Sequence, residues 1–270
     1  MKIKAVLDAL ERFAPLPLQE GFDNAGLQVG LTEAEVSGAL LCLDVTEAIV
    51  DEAIAEGCNL IVAHHPLVFH KLARIAGEDY VQRTVAKAIK SDITIVAMHT
   101  NLDEAEGGVN YKIAQKIGLE KVKFLGAVKE VTVSNPSPAK VVRGGVAIMG
   151  ELPKPMDAET FVRLLKQRFG VACVQANELL SRKIKRVALC GGAGAEFKDL
   201  AVEADADAFV TGEIRYHEFF GYEQVIQLCA IGHYQSERFT MEIFREIIEQ
   251  DCPTVRCVMT KQCTNPIHYL

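Results

Sequence analysis

An α/β fold built twice over is predicted by this sequence, on three observations. Short apolar segments of strand length alternate with amphipathic segments of helix length in both halves of the chain, the pattern of parallel βαβ units. A shift of 148 positions lays "LCLDVTEAIVDEAIAEGCNLIVAHH" over "LCGGAGAEFKDLAVEADADAFVTGE" without a gap. Identities are few, but the hydrophobic pattern survives, which points to an internal duplication. Finally, histidines and carboxylates collect at the carboxyl ends of the strand segments, where open α/β sheets bind their ligands.

In chain order, "ALLCLDV" from Ala39 reads as a strand and "TEAIVDEAIAEG" as a helix. Thr46 can cap that helix, Ile49, Val50, Ala53 and Ile54 form its apolar stripe, and Gly57 suits its end. "CNLIVA" is the next strand, followed by a helix from Asp79 to Lys90, the strand "DITIVAM" and a helix from Val109 to Ile117. "VKEVTVSNPSPAK" carries the Ser, Asn and Pro of a linker or hairpin, and "VVRGGVAIMGELPKPMDAETFVRLLKQRFG" reads as strand, turn and helix opening a second lobe. "RVALCGG", "ADAFVTG" and "QVIQLCAIG" are its strands, "AEFKDLAVEA" a helix, and "SERFTMEIFREIIEQ" a long helix begun by Ser236. The expected lobes are residues 1–126, with 253–270 available to complete the first, and residues 127–252.

At 270 residues the chain can bury a sizeable core without disulfides or structural metal. Its 49% hydrophobic and 24% charged residues are ordinary for a globular protein. A net charge of −7 argues against a broad nucleic-acid surface, and leaves anionic small molecules open where a cation meets them. "MKIKAVLDALERFAPLPLQE" has no apolar core leading to a cleavage site, and no stretch reaches about 18 uninterrupted apolar residues. The expectation is a cytoplasmic protein with no membrane contact. Its eight cysteines, Cys42, Cys58, Cys173, Cys190, Cys229, Cys252, Cys257 and Cys263, form no C-x-x-C pair and read as reduced thiols.

The chemistry gathers around "IVAHHPLVFH" at positions 61–70, where an apolar strand ends in two adjacent histidines that point to opposite sides of an extended chain. "VAMHTNLD" ends in His99 with Asp103 four residues on, and "CAIGHYQSE" in His233 with Glu237 four residues on. These read as one His-x-x-x-carboxylate repeated at corresponding strand ends. Imidazole with carboxylate suits zinc, iron, manganese, cobalt or nickel, and such ligands do not distinguish among them. Five or six donors exceed what one open catalytic ion takes from protein, so two divalent metal ions sharing a carboxylate are expected. His64 and His65 would each take one ion, Asp103 and His233 would be terminal ligands, and Glu237 would bridge. His99 is either a sixth ligand or, with the stronger case, a supporting donor or proton shuttle.

Other residues carry weaker signals. Glu213 and His217 in "TGEIRYHE" are candidates for substrate contact or for support of the ligands. "CGGAGAEF", with Gly191, Gly192 and Gly194, does not spell G-x-G-x-x-G and reads as a tight turn into a helix, with anion contact left open. Ser236 reads as a helix cap, and His70 and His268 as surface residues. The donors together predict hydrolysis of a nucleotide-like or phosphorylated small molecule by metal-activated water. The competing class is a noncatalytic metal-binding protein or an oligomeric scaffold.

"FDNAGLQVG" at 22–30, "HHPLVF", "HTNLD", "TGEIRYH", "GHYQSE" and the terminal "TNPIHYL" occur in an order that resembles the NGG-interacting-factor-three family across essentially the whole chain. Members of that family are named GTP cyclohydrolase type 2 homologues. The resemblance implies two interlocked three-layer α/β/α lobes, a dinuclear metal site between them and a toroidal homohexamer. It carries the ligand role onto His64, His65, Asp103, His233 and Glu237, and it implies ring-opening hydrolysis of GTP. Phe22 stands where the family usually has Trp, and the chain is too short for the domain that some relatives insert between the lobes.

Overall fold

The computed structural model describes residues 1–134 and 138–268. The chain forms two compact units: Met1–Ala105 with Val131–Val142 and Thr240–Leu270, and Glu106–Glu130 with Arg143–Phe239. These bounds differ from the divisions at 126/127 and 252/253 expected from the sequence. Helix Thr240–Asp251 buries Ile243, Phe244, Ile247 and Ile248 while packing on helix Ile3–Phe13 and strand Ala39–Cys42, which ties it to the first unit.

The first unit is an α/β sandwich around a five-stranded sheet, ordered Gly26–Val29, Thr94–Ala97, Leu60–Ala63, Ala39–Cys42 and Cys257–Met259. The last four run parallel and Gly26–Val29 is antiparallel at the edge. Strands 39–42, 60–63 and 94–97 are buried at every position, as expected for a parallel sheet covered on both faces. On one face Leu40, Cys42, Ile61, Ala63 and Ile95 meet Ile49, Val50, Ala53, Val85 and Ala88 of helices Glu47–Ala55 and Tyr80–Lys90. Alternation turns Leu41 and Val62 to the other face, where helix Thr240–Asp251 lies on strand 39–42. Thr46 and Asp79 cap their helices by accepting from Ile49 N and Gln82 N. Ile54, expected in the apolar stripe, is instead exposed, because the sheet is met by the Ile49–Val50–Ala53 side of the helix.

The second unit carries a six-stranded sheet, ordered Glu120–Leu125, Ala147–Met156, Ile184–Cys190, Ala208–Thr211, Gln227–Ala230 and Gln175–Ala176. Its three parallel strands, 184–190, 208–211 and 227–230, are flanked by antiparallel ones. Helix Val109–Ile117 matches its expected span and ends on left-handed Gly118. The expected long helix begun by Ser236 is two: His233–Glu237, then Thr240–Asp251. Segments Lys129–Val133 and Lys140–Gly144 pair as a two-stranded ribbon; the Asn135, Pro136 and Ser137 expected at its turn lie outside the described residues. No helix among the described residues is long and apolar enough to cross a membrane. All eight cysteines are free, and burial pushes the Cys42 and Cys229 thiols up.

Candidate metal centre

In the first unit the strand ladder decides which side chains meet. Cys42 pairs with Ala63, and Ala63 with Ala97. The residues that follow, Asp44, His64 and His65, and His99, therefore emerge together at the carboxyl edge. Leu43 O accepts from both His64 N and His65 N, at 3.1 and 2.9 Å, so the paired histidines turn sharply off the strand.

Each of the three imidazoles has its Nδ1 engaged. His64 is wholly buried and its Nδ1 donates to Met98 O at 2.8 Å; a carbonyl only accepts, so Nδ1 carries a proton, and in the neutral ring Nε2 is the lone-pair nitrogen. His65 Nδ1 meets Asp44 Oδ1 at 2.7 Å, and His99 Nδ1 meets Asp23 Oδ1 at 2.7 Å. Burial pushes the Asp44 carboxyl up, but hydrogen bonds from His65 and Thr264 outweigh it and leave the group below its ordinary range. Burial likewise opposes ionisation of Asp23, yet donors from His99 and Thr100 hold it at about 2. Anionic carboxylates on Nδ1 fix the tautomer and ring orientation of His65 and His99.

Ligand atoms of His64, His65 and His99 all lie within 4.8 Å of one another, a grouping that could hold a metal ion. His99 stands at the N-cap position of helix Thr100–Glu104, where Asp23 Oδ2 accepts from Thr100 N at 3.0 Å. Asp103, one turn on, brings Oδ1 to 3.6 Å from His64 Nε2. Phe69 stands edge-on to His99, with ring centroids 6.1 Å apart.

In the second unit the equivalent strand ends carry Gly192, Glu213 and His233. His233 opens the short helix His233–Glu237. Its Nε2 lies 3.0 Å from Glu237 Oε2, and its Nδ1 lies 3.1 Å from Glu213 Oε1. Gly192 adopts a left-handed φ of +57°, and a Cβ there would stand 2.2 Å from Glu237 Oε1. The glycine run thus makes the hollow in which the buried Glu237 carboxylate sits. Ser236 is not a cap: its hydroxyl accepts from Gly192 N at 3.0 Å and donates to His233 O at 2.7 Å. His217 is exposed between Tyr216 and Phe220, and His70 and His268 are exposed as expected.

Imidazoles and carboxylates thus stand at the strand ends of both sheets. The family description Duf34/NIF3 (NGG1p interacting factor 3) matches residues 1–266. The chain belongs to this family. A Clostridium perfringens protein named GTP cyclohydrolase 1 type 2 homolog is 30% identical over 272 residues, covering 100% of each chain. A Clostridium acetobutylicum protein of the same name is 31% identical over 242 residues, 88% of this chain and 85% of that one. Among solved structures, the Staphylococcus aureus hypothetical protein SA1388 matches with a TM-score of 0.88 at 28% identity, covering 100% of this chain and 99% of that one. A Bacillus cereus protein related to NIF3 matches with a TM-score of 0.87 at 23% identity and the same coverage, a likeness of fold.

The ladders of this NIF3-family chain correct one reading of the sequence. Pairs Cys42↔Ala63 and Cys190↔Thr211 preserve the 148-residue shift. The third strands align Ala97 with Ala230, a shift of 133, because each pairs with its neighbour's last residue. Helices Thr100–Glu104 and His233–Glu237 follow at that same shift. His233 therefore corresponds to Thr100, Ser236 to Asp103 and Glu237 to Glu104. The two His-x-x-x-carboxylate motifs are offset by one residue and are not copies of each other. Asp23 and Asp44 were missed altogether, although "FDN" and the strand-end "LDV" were the available signals.

Proposed function

We propose that this NIF3-family protein is a dinuclear-metal hydrolase in which His64, His65, Asp103, His233 and Glu237 hold two divalent cations and water is turned onto a nucleotide-like or other phosphorylated small molecule. The observation that carries the reading is the imidazole trio of the first unit. Its three Nδ1 atoms are committed to acceptors while its ligand atoms gather within 4.8 Å. The hollow at Gly192, which a Cβ would fill, supports Glu237 as a purpose-held carboxylate rather than an incidental surface acid. Borderline nitrogen and hard oxygen donors fit a divalent ion of the zinc, iron, manganese, cobalt or nickel group.

A bound pair would supply Lewis acidity and an activated water near neutral pH. Asp44 holds the His65 ring in its ligating orientation. Asp23 holds His99 so that Nε2 can take or give a proton at the reacting water or leaving group, an Asp–His arrangement suited to general acid–base work. The name shared by the Clostridium relatives makes a purine nucleoside triphosphate the first substrate to try. The family reading also extends to a homohexameric ring, which sedimentation analysis would resolve from a monomer.

The test is incubation of metal-loaded protein with a nucleotide panel that includes GTP, with product analysis. Turnover by the wild type that falls at least about 100-fold in His65→Ala is expected. Failure to turn over any member, or turnover unchanged in His65→Ala, overturns the hydrolase reading; metal retention without turnover would mark a metal-holding protein instead.

A further inference from the structure

Residues 260–268, after strand Cys257–Met259, form neither helix nor strand, and most of them are exposed. They are nonetheless tied down in order. Thr260 N donates to Leu41 O at 2.9 Å, Thr260 Oγ1 donates to Glu52, and Lys261 N donates to Glu52 Oε1 at 2.8 Å. Four residues past Thr260, the half-buried Thr264 donates its hydroxyl to Asp44 Oδ2 at 2.5 Å. The other oxygen of that carboxylate, Oδ1, is the one that meets His65 Nδ1.

We infer that Thr264 is a positioning residue for the candidate metal centre: through Asp44 it fixes the plane of the His65 ring, so that the C-terminal segment is part of the site by way of that carboxylate. The inference rests on the proposed ligand role of His65. Its physical basis is the freedom of a carboxylate. The terminal torsion of an Asp side chain is broad and roughly two-fold, so one hydrogen bond fixes a distance and leaves the plane to swing. A second, charge-assisted bond on the opposite oxygen removes that swing. Asp44 stands immediately after Leu43, whose carbonyl already anchors His64 N and His65 N. Backbone, carboxylate and imidazole thus form one braced unit, and Thr264 supplies the brace from 220 residues away. Supporting partners of metal-ligating imidazoles are worth about 10- to 100-fold in affinity, and a residue one bond further out belongs at the lower end.

The full-length chain, stripped with a chelator, is titrated with Co²⁺ and followed by its visible absorption. Thr264→Val, which keeps the shape and removes the hydroxyl, is expected to bind Co²⁺ about 10-fold more weakly, while Thr264→Ser restores wild-type affinity. In an Asp44→Ala background Thr264→Val is expected to add nothing, because the path runs through Asp44. Should Thr264→Val not fold, Thr264→Ala carries the same expectations. Wild-type affinity in Thr264→Val alongside a loss in Asp44→Ala overturns the role of Thr264 and leaves the metal reading intact. An equal loss on adding Thr264→Val to Asp44→Ala overturns it too, by showing an effect on the fold at large. A wild type that takes up no Co²⁺ removes the proposed ligands themselves, and the inference falls with them.

Discussion

The two units offer the same scaffold and opposite furniture. In both, parallel strands end at matched registers and a five-residue helix follows the third strand. The first unit fills that edge with three imidazoles, each braced at Nδ1 by an acceptor. The second clears it with Gly192 and Gly212, where a Cβ would stand 2.2 Å from Glu237 Oε1 and 2.5 Å from Gly192 O, and presents one histidine beside a buried glutamate. The two units share the strand-end edge, not the residues that stand on it. His99 and His233 accordingly stand one residue out of register with each other.

The sharpest way to break this comparison uses the register-equivalent pair Glu104 and Glu237, both buried. Glu237→Gln is expected to weaken divalent-metal binding by more than about 100-fold, whereas Glu104→Gln leaves it within about twofold; calorimetric titration reads both. Equal losses would mean that the units contribute equivalent ligands after all. Next comes the glycine hollow. Gly192→Ala forces a left-handed residue against the Glu237 carboxylate and is expected to cost about 10- to 100-fold in metal affinity. A Cβ at Gly191 comes closest to the flexible Ile113 side-chain tip, at 2.9 Å, so Gly191→Ala is expected to change affinity little.

Removing the braces has smaller effects. Asp44→Asn is expected to lower metal affinity about 10-fold by the same titration. For Asp23 the readout is stability against pH. Its carboxyl is depressed from 3.8 to about 2 when folded, so its contribution is present above the unfolded value and is lost as pH falls through the folded one. Wild type is therefore expected to exceed Asp23→Asn by about 1 kcal/mol above pH ~5, after allowance for screening, and the gap closes between pH ~4 and ~2. Denaturant unfolding of both proteins across that range checks it.

Much of this was legible in the sequence because it is local. The cap Thr46, the span Val109–Ile117 and the histidines at the end of "LIVA" follow from periodicity and turn chemistry within a few residues. What escaped depends on contacts between distant positions. His65 and Asp44 lie 21 residues apart and His99 and Asp23 lie 76 apart, so "LDV" and "FDN" mark each carboxylate without naming the imidazole it meets. The role of Gly192 was hidden because a glycine's purpose lies in what its missing Cβ makes room for, here a side chain 45 positions on. The repeat itself misled at the third strand: matching letters favoured His99 with His233, while the ladder counts from Ala97 and Ala230.

The central proposal is that His64, His65, Asp103, His233 and Glu237 hold two divalent cations. It is tested most directly by anomalous diffraction, on either side of the zinc edge, from crystals grown with Zn²⁺. Two peaks about 3.5–4 Å apart, ligated by those five side chains and with the His65–Asp44 and Asp44–Thr264 hydrogen bonds intact, are the predicted result. Absence of peaks from both ligand sets at saturating Zn²⁺, with the His65 and His233 imidazoles bonded to main chain instead, would contradict it.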